Sequence, residues 1–316
     1  MASGAWGAAV YPERVVPSGV QHRITHGSQR VTVVEVGAAV REYADGDREI
    51  FQSYPEHAVS WAYHGSVLLP WPNRLRDGSY QFDGEPQQVA LTEPSHHNAL
   101  HGLAAWLPWT LVEHAPTCVT LSCRLMPRPG YPFQLESMVS YELGDDGLAV
   151  TTTSNNDGDR ACPYALGFHP YVSAGPGATI DDCTLRMDVS RRLLVDDRLI
   201  PVGHEPVEGT AYDFRGGQQL ASRVLDTGFT DVTTDLAGQS KVSVTGPDGR
   251  TVEVWADTNF GFWQVYTGED LPAPLRRRSL AVEPMTAAPN AFQTGWGLQR
   301  LEPGESVTTR WGARLR

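Results

Sequence analysis

The sequence predicts an all-β fold made of two large antiparallel sheets packed face to face. Polar and apolar residues alternate with a period of two along many short segments, as half-buried strands require. Asp-Gly dipeptides, which supply the positive φ of a tight hairpin turn, lie between several of these segments. Because hairpins join antiparallel neighbours, antiparallel sheets are expected.

Each element follows from one of these two signals. The alternating segments are, in chain order, residues 31–36, 119–125, 148–153, 251–255 and 306–311. The turn dipeptides lie at residues 45–46, 77–78, 83–84, 146–147 and 248–249. Residues 143–153 and 242–254 each predict a complete hairpin. Residues 191–199 form the best helical candidate, and 69–78 and 92–102 are expected to be long loops.

Length and composition indicate one globular unit. The 316 residues are 41% hydrophobic and 20% charged, and neither a repeat nor a Pro/Ser-rich linker divides them, so a single domain over 1–316 is expected. Residues 1–7 lack the basic patch and apolar stretch of a leader, and no window approaches the about 18 apolar residues of a membrane span. We therefore expect a cytoplasmic protein without a membrane partner, either a monomer or a homodimer.

Charge and motifs exclude several function classes. A formal net charge of −12 repels phosphate backbones, so nucleic acid is not an expected partner. The single lysine, Lys241, lies in an alternating run and should point outward, which argues against P-loop and Schiff-base chemistry. No dinucleotide-binding fingerprint is present, and we expect no cofactor. The four cysteines form no Cys-x-x-Cys pair and are expected to be reduced and mostly buried.

Two polar clusters could bind a ligand, and the first of them suits a sugar. Residues 70–78, constrained by two prolines, present Asn73 and Arg74, whose donors suit hydroxyl groups. Residues 96–102 contain three histidines, but adjacent histidines on an extended segment point apart, so no metal is expected. His101 could instead serve as a neutral hydrogen-bonding group. For both clusters the alternative is a structural role within the loop.

Two further clusters supply an acid and a base. His169 lies between aromatic residues and before a proline, and an imidazole is the usual general acid or base near neutral pH. Glu283 ends an apolar strand, where a buried carboxylate is costly unless it is paired or used. A satisfied core histidine and a structural ion pair are the alternatives. Together the clusters favour acid–base chemistry on a polar, neutral substrate.

At these clusters the chain resembles the aldose 1-epimerase (galactose mutarotase) family. Three segments carry the resemblance, namely Asn73-Arg74, Leu100-His101-Gly102 and Glu283-Pro284-Met285-Thr286. Weaker similarity surrounds Asp226 and Gln264. Phe168 stands where the best-known members have Asn, so the chain resembles a divergent subgroup.

The resemblance implies a galactose mutarotase-like β supersandwich that interconverts the α and β anomers of a free hexose without a cofactor. Glu283 would be the general base and His169 the general acid. The residues implied to orient the sugar are Asn73, Arg74, His101, Asp226 and Gln264, with Asp231 as an alternative to Asp226.

Two alternatives to this function remain open at the level of the sequence. One is a mutarotase for an anionic hexose, sulfonated or phosphorylated, which Phe168 and the pair Arg74 and Arg76 suggest. The other is a sugar-binding protein without catalytic activity.

Overall fold

Antiparallel strands account for most of the regular structure in the computed structural model, which describes residues 16–316. Residues 1–7, on which the expectation of no leader rests, lie outside the described residues. The strands are β1 (Gln21–His26), β2 (Gln29–Val34), β3 (Val40–Asp45), β4 (Arg48–Phe51), β5 (Val67–Leu68), β6 (Arg74–Arg76), β7 (Ser79–Phe82), β8 (Glu85–Gln88), β9 (Asn98–Leu100), β10 (Thr110–Ala115), β11 (Cys118–Leu125), β12 (Leu135–Gly144), β13 (Gly147–Asn156), β14 (Cys162–Tyr164), β15 (Gly167–Phe168), β16 (Tyr171–Ser173), β17 (Thr184–Met187), β18 (Val189–Val195), β19 (Pro201–Pro206), β20 (Gln218–Gln219), β21 (Asp226–Val232), β22 (Ser240–Thr245), β23 (Thr251–Ala256), β24 (Phe262–Tyr266), β25 (Ser279–Met285), β26 (Gln299–Leu301) and β27 (Ser306–Leu315). The helices of this region are the 3-10 turn Ile180–Asp182 and α1 (Ala291–Thr294).

Two large sheets form the sandwich. The twelve-stranded sheet has the order β1-β2-β3-β4-β16-β25-β24-β21-β18-β19, with β5 and β15 paired beside it. The nine-stranded sheet has the order β10-β11-β12-β13-β27-β23-β22-β17-β20. The sheets share one buried apolar core, in which Phe51 of the first stacks on Trp311 of the second with ring centroids 6.4 Å apart. The predicted all-β fold and its two packed antiparallel sheets are confirmed.

Both predicted hairpins are confirmed, and so is the state of the cysteines. β12 and β13 pair antiparallel down to Gly144 opposite Gly147, and β22 pairs with β23 down to Thr245 opposite Thr251. Gly147 and Gly249 adopt positive φ, as tight turns require.

All four cysteines are free, and three of them are buried.

One local prediction is wrong, and two are correct only in part. Residues 191–199 are not helical, because β18 is paired on both sides with β19 and β21, and this pairing overrides a weak local preference. The expected loops 69–78 and 92–102 contain β6 and β9, which pair with Arg74 opposite Leu100. This small sheet matters because it joins two of the predicted site segments.

Among the described residues, no helix is long and apolar enough to cross a membrane.

Candidate active site

Glu283 lies within β25, and the strands beside β25 bring two other site residues next to it. Gln264 of β24 is paired directly with Glu283. On the other side, the pairs Gly167 with Met285 and Tyr171 with Ala281 place His169 opposite Glu283. The Nε2 atom of His169 lies 3.4 Å from Oε1 of Glu283. The two side chains predicted as acid and base therefore meet in one site.

Burial controls the protonation of this pair. The side chains of His169 and Glu283 are only 6% and 2% exposed. Burial, with a smaller contribution from His64, lowers the pKa of His169 to about 3. Burial also raises the pKa of Glu283 well above its ordinary range, the charge of Asp226 adds to this rise, and Arg74 opposes it. Burial therefore disfavours the charged form of both groups.

Two buried acceptors of the site have no hydrogen-bond donor among the described residues. They are Oε2 of Glu283 and Oε1 of Gln264, on side chains that face each other across β24 and β25. Buried polar atoms are normally paired. A hydroxyl-bearing ligand would supply the missing donors.

Arg74 connects the small β6–β9 sheet to the strands that carry the acid and the base. Its Nε and one terminal nitrogen donate to the carboxylate of Glu93 at 3.0–3.1 Å, and the same terminal nitrogen lies 3.4 Å from Asp226. Asp226 in turn accepts a hydrogen bond of 2.5 Å from Nε2 of Gln264. No motif marks Glu93, which lies in a segment expected to be a loop. The network Glu93–Arg74–Asp226–Gln264 thus forms a second wall beside Glu283.

Asn73 and His101 are fixed to each other where β6 begins and β9 ends. The backbone N–H of Asn73 donates to Nδ1 of His101 at 3.0 Å, and the backbone N–H of His101 donates to the carbonyl of Asn73 at 2.9 Å. Because Nδ1 accepts, the neutral ring carries its hydrogen on Nε2. Burial lowers the pKa of His101 well below its ordinary value, and His169 and Arg74 add to the effect. His101, whose ring lies edge-on to that of His169 at 5.2 Å, is therefore a neutral donor.

The same tautomer makes the site unsuitable for a metal ion. One ligand atom each from His101, His169 and Glu283 lie within 4.8 Å of one another, a spacing that a metal could use. A ligating imidazole must offer a lone pair. In His101 one nitrogen already accepts the Asn73 N–H, and the other carries the hydrogen. The remaining histidines of 96–102 diverge, since His96 lies 3.2 Å from Glu93 and His97 lies 2.8 Å from Asp77.

Three residues weighed as alternatives lie outside this arrangement. Asp231 pairs with Arg191 at 3.1 Å and takes no part in the Arg74 network. Arg76 forms an ion pair with Asp196. Phe168 is buried in the core, where its ring lies 4.9 Å from that of Trp311. The aromatic residue at position 168 therefore packs between the sheets.

Comparison with known proteins agrees with the fold. The chain matches the family model for aldose 1-epimerase over residues 21–312. It is 35% identical over 292 residues to the uncharacterized protein YihR of Escherichia coli, covering 91% of each chain. It is 30% identical over 241 residues to human galactose mutarotase, covering 70% of this chain and 67% of that one. A galactose mutarotase-like protein from Clostridium acetobutylicum shares the fold with a TM-score of 0.84 at 16% identity, covering 98% of both chains. The chain therefore belongs to the aldose 1-epimerase family of isomerases.

Proposed function

We propose that this protein interconverts the α and β anomers of a free, neutral hexose, with Glu283 and His169 as the acid–base pair. The observation that carries the proposal is the 3.4 Å separation of His169 Nε2 and Glu283 Oε1 in a buried site. Opening a hemiacetal requires one proton to leave the anomeric hydroxyl and another to reach the ring oxygen. A pair that holds a single proton between two adjacent groups can do both.

The reaction uses that proton once in each direction. With the proton on His169, the Glu283 carboxylate removes the hydrogen of the anomeric hydroxyl while His169 protonates the ring oxygen. The bond from C1 to the ring oxygen breaks, and C1 becomes an aldehyde carbon. Rotation about C1–C2 turns the other carbonyl face toward the ring hydroxyl, and closure returns both protons. Each proton transfer contributes about 100- to 10,000-fold to the rate.

The remaining predicted residues would orient the sugar so that both proton transfers reach the correct oxygens. His101 offers a hydrogen-bond donor, and the Gln264 amide oxygen is a buried acceptor that receives no hydrogen bond from residues 16–316. The residues proposed to hold the hydroxyl groups are Asn73, Arg74, His101, Asp226 and Gln264. Asp226 is preferred to Asp231 because it contacts both Arg74 and Gln264.

The charges around the site favour a neutral sugar over an anionic one. The Arg74 guanidinium is bound by Glu93 and lies beside Asp226. The Glu283 carboxyl is close to Arg74 and to Asp226. Arg76, the other cation of this segment, is paired with Asp196. An anionic substituent would have to displace one of these carboxylates. This balance supports the neutral substrate.

Polarimetry on freshly dissolved α-D-glucose and α-D-galactose tests the proposal. The wild-type protein should speed the approach to the equilibrium rotation, and Glu283→Gln should lower kcat by at least about 100-fold. Glu253→Gln is the matched control, because Glu253 is a strand carboxylate paired with Arg314 in the other sheet. Equal rates with and without protein across a broad panel of neutral sugars would refute the proposal.

Two additions to this experiment separate the alternatives. Glucose 6-phosphate and a 6-sulfonated hexose are included as substrates and as competitors, and faster turnover of either would replace the neutral substrate by an anionic one. Calorimetric binding of a sugar that the protein does not turn over would favour a binding protein instead.

Location and assembly are part of the proposal as well. Four free cysteines, three of them buried, suit a reducing compartment such as the cytoplasm. Cell fractionation tests this assignment, and light scattering distinguishes a monomer from a homodimer.

A further inference from the structure

We infer that Tyr171, held by residues 61–66, is a positioning residue that fixes the plane of the His169 ring. The inference rests on the proposed function, because it assigns a role relative to the acid–base pair. In the sequence Tyr171 is only one of the aromatic residues that flank His169, and residues 61–66 carry no motif.

His169 lacks the hydrogen bond that usually orients such a ring. A histidine used in proton transfer is commonly held by a partner on its other ring nitrogen, which fixes both tautomer and orientation. The Nδ1 atom of His169 is buried and has no hydrogen-bond partner among the described residues. Apart from the contact of Nε2 with Glu283, the orientation of the ring must therefore come from packing.

A set of aromatic rings supplies this packing. Tyr171 stacks on His169, with ring centroids 4.9 Å apart and planes 18° apart. His64 stacks on the same tyrosine at 5.1 Å and 11°. Trp61 contacts Tyr171 at 4.5 Å and His64 at 4.6 Å. The hydroxyl of Tyr171 donates to the carbonyl of Ala62 at 3.3 Å, so the tyrosine is held at its faces and at its tip.

The same segment fixes the backbone of His169. The N–H of Gly65 donates to the His169 carbonyl at 2.9 Å, and the His169 N–H donates to the Ser66 carbonyl at 3.2 Å. Residues 62 and 63 adopt positive φ of 43° and 56°, although they are alanine and tyrosine. Such conformations cost energy and cluster near functional sites. They place His64 on the Tyr171 side and the Tyr63 ring 4.6 Å from His101.

Removal of the Tyr171 ring should therefore affect turnover more than sugar affinity. Tyr171 is fully buried, and its backbone pairs with Ala281 of β25, two residues from Glu283. Without its ring, His169 keeps its backbone position but can rotate. A misplacement of about 1 Å in a reacting group can cost on the order of 100-fold in rate.

The test compares Tyr171→Leu with Tyr171→Phe and with Tyr141→Leu. Tyr141 of β12, in the other sheet, is the matched control. It is also a fully buried tyrosine, and its hydroxyl donates to the carbonyl of an alanine, Ala38. Tyr171→Leu should lower kcat by about 10- to 100-fold with KM within about threefold. Tyr171→Phe keeps the ring and should stay within about threefold of wild type in kcat. A kcat for Tyr171→Leu equal to that of Tyr141→Leu overturns the inference.

Two further measurements keep the inference testable if Tyr171→Leu does not fold or if turnover is not detected. His64→Leu removes the second stacked ring and should lower kcat in the same direction, whereas His64→Phe should not. Isotope-edited NMR of the histidine rings, assigned with His169→Gln, should show one ordered His169 ring in the wild type and an averaged ring in Tyr171→Leu. An averaged ring without wild-type turnover would refute the proposed function and support the positioning role. Wild-type turnover with a ring unchanged by Tyr171→Leu would support the proposed function and refute the positioning role.

Discussion

The pH dependence of turnover is a direct consequence of the burial of His169 and Glu283. If the two groups kept their ordinary pKa values of 6.5 and 4.5, kcat/KM would decline above pH 6.5 as His169 lost its proton, by about tenfold at pH 7.5. In the structure burial lowers the His169 pKa to about 3 and raises that of Glu283, so a decline at the ordinary pKa of His169 is not expected. We expect kcat/KM to change by less than about threefold between pH 5 and 7.5.

The assay is polarimetry at several pH values, with the spontaneous rate at each pH subtracted. The Asp226→Asn variant adds a test of sign, because the charge of Asp226 helps to raise the pKa of Glu283. Removing that charge should lower the pKa of Glu283, so the decrease of kcat/KM at alkaline pH should begin at a lower pH. The Glu253→Gln control should keep the wild-type profile. A decrease of wild-type kcat/KM with a midpoint near pH 6.5 would show that His169 keeps its ordinary pKa and would refute the prediction.

Three further predictions concern single residues. Burial lowers the pKa of His64 to about 4 from 6.5, so the folded protein is destabilised as the pH falls from 6.5 toward 4. His64→Phe should remove about 3 kcal/mol of this decrease in the free energy of unfolding, measured by urea titration at several pH values. Glu93→Gln weakens the hold on Arg74 and should raise KM about tenfold in steady-state kinetics, with the melting temperature changed little. Gly228→Ala would place a methyl group 2.8 Å from Leu193 Cδ1 and 3.1 Å from Gln264 Oε1 and should lower kcat/KM, whereas Gly203→Ala, with open space around it, should not.

The sequence predicted the sheets well because burial on one face of a strand imposes a period of two over many residues. β13 and β27 each run for ten residues, which is long enough for that pattern to be distinct. β6 and β9 have three residues each and cannot show it. Their pairing depends on contact between distant parts of the chain, so these segments read as loops.

The candidate site was predictable only where a residue type carried chemistry of its own. His169 and Glu283 stand out as single titratable groups in apolar surroundings, and Arg74 as a donor on a constrained segment. Glu93 and Tyr171 do not stand out, because one is an acid in a polar stretch and the other an aromatic residue that begins the short strand β16. Their roles follow from the register between strands, which the local pattern does not reveal.

The alternation of side chains also explains what the difference at position 168 can do. Neighbouring residues of an extended segment point to opposite faces of a sheet. Phe168 therefore points into the core against Trp311 while His169 points toward Glu283. A change at position 168 alters packing between the sheets and reaches the sugar only through the backbone of His169. Under the proposed function, substrate preference would be set instead by side chains that face the site, such as Arg74 and His101.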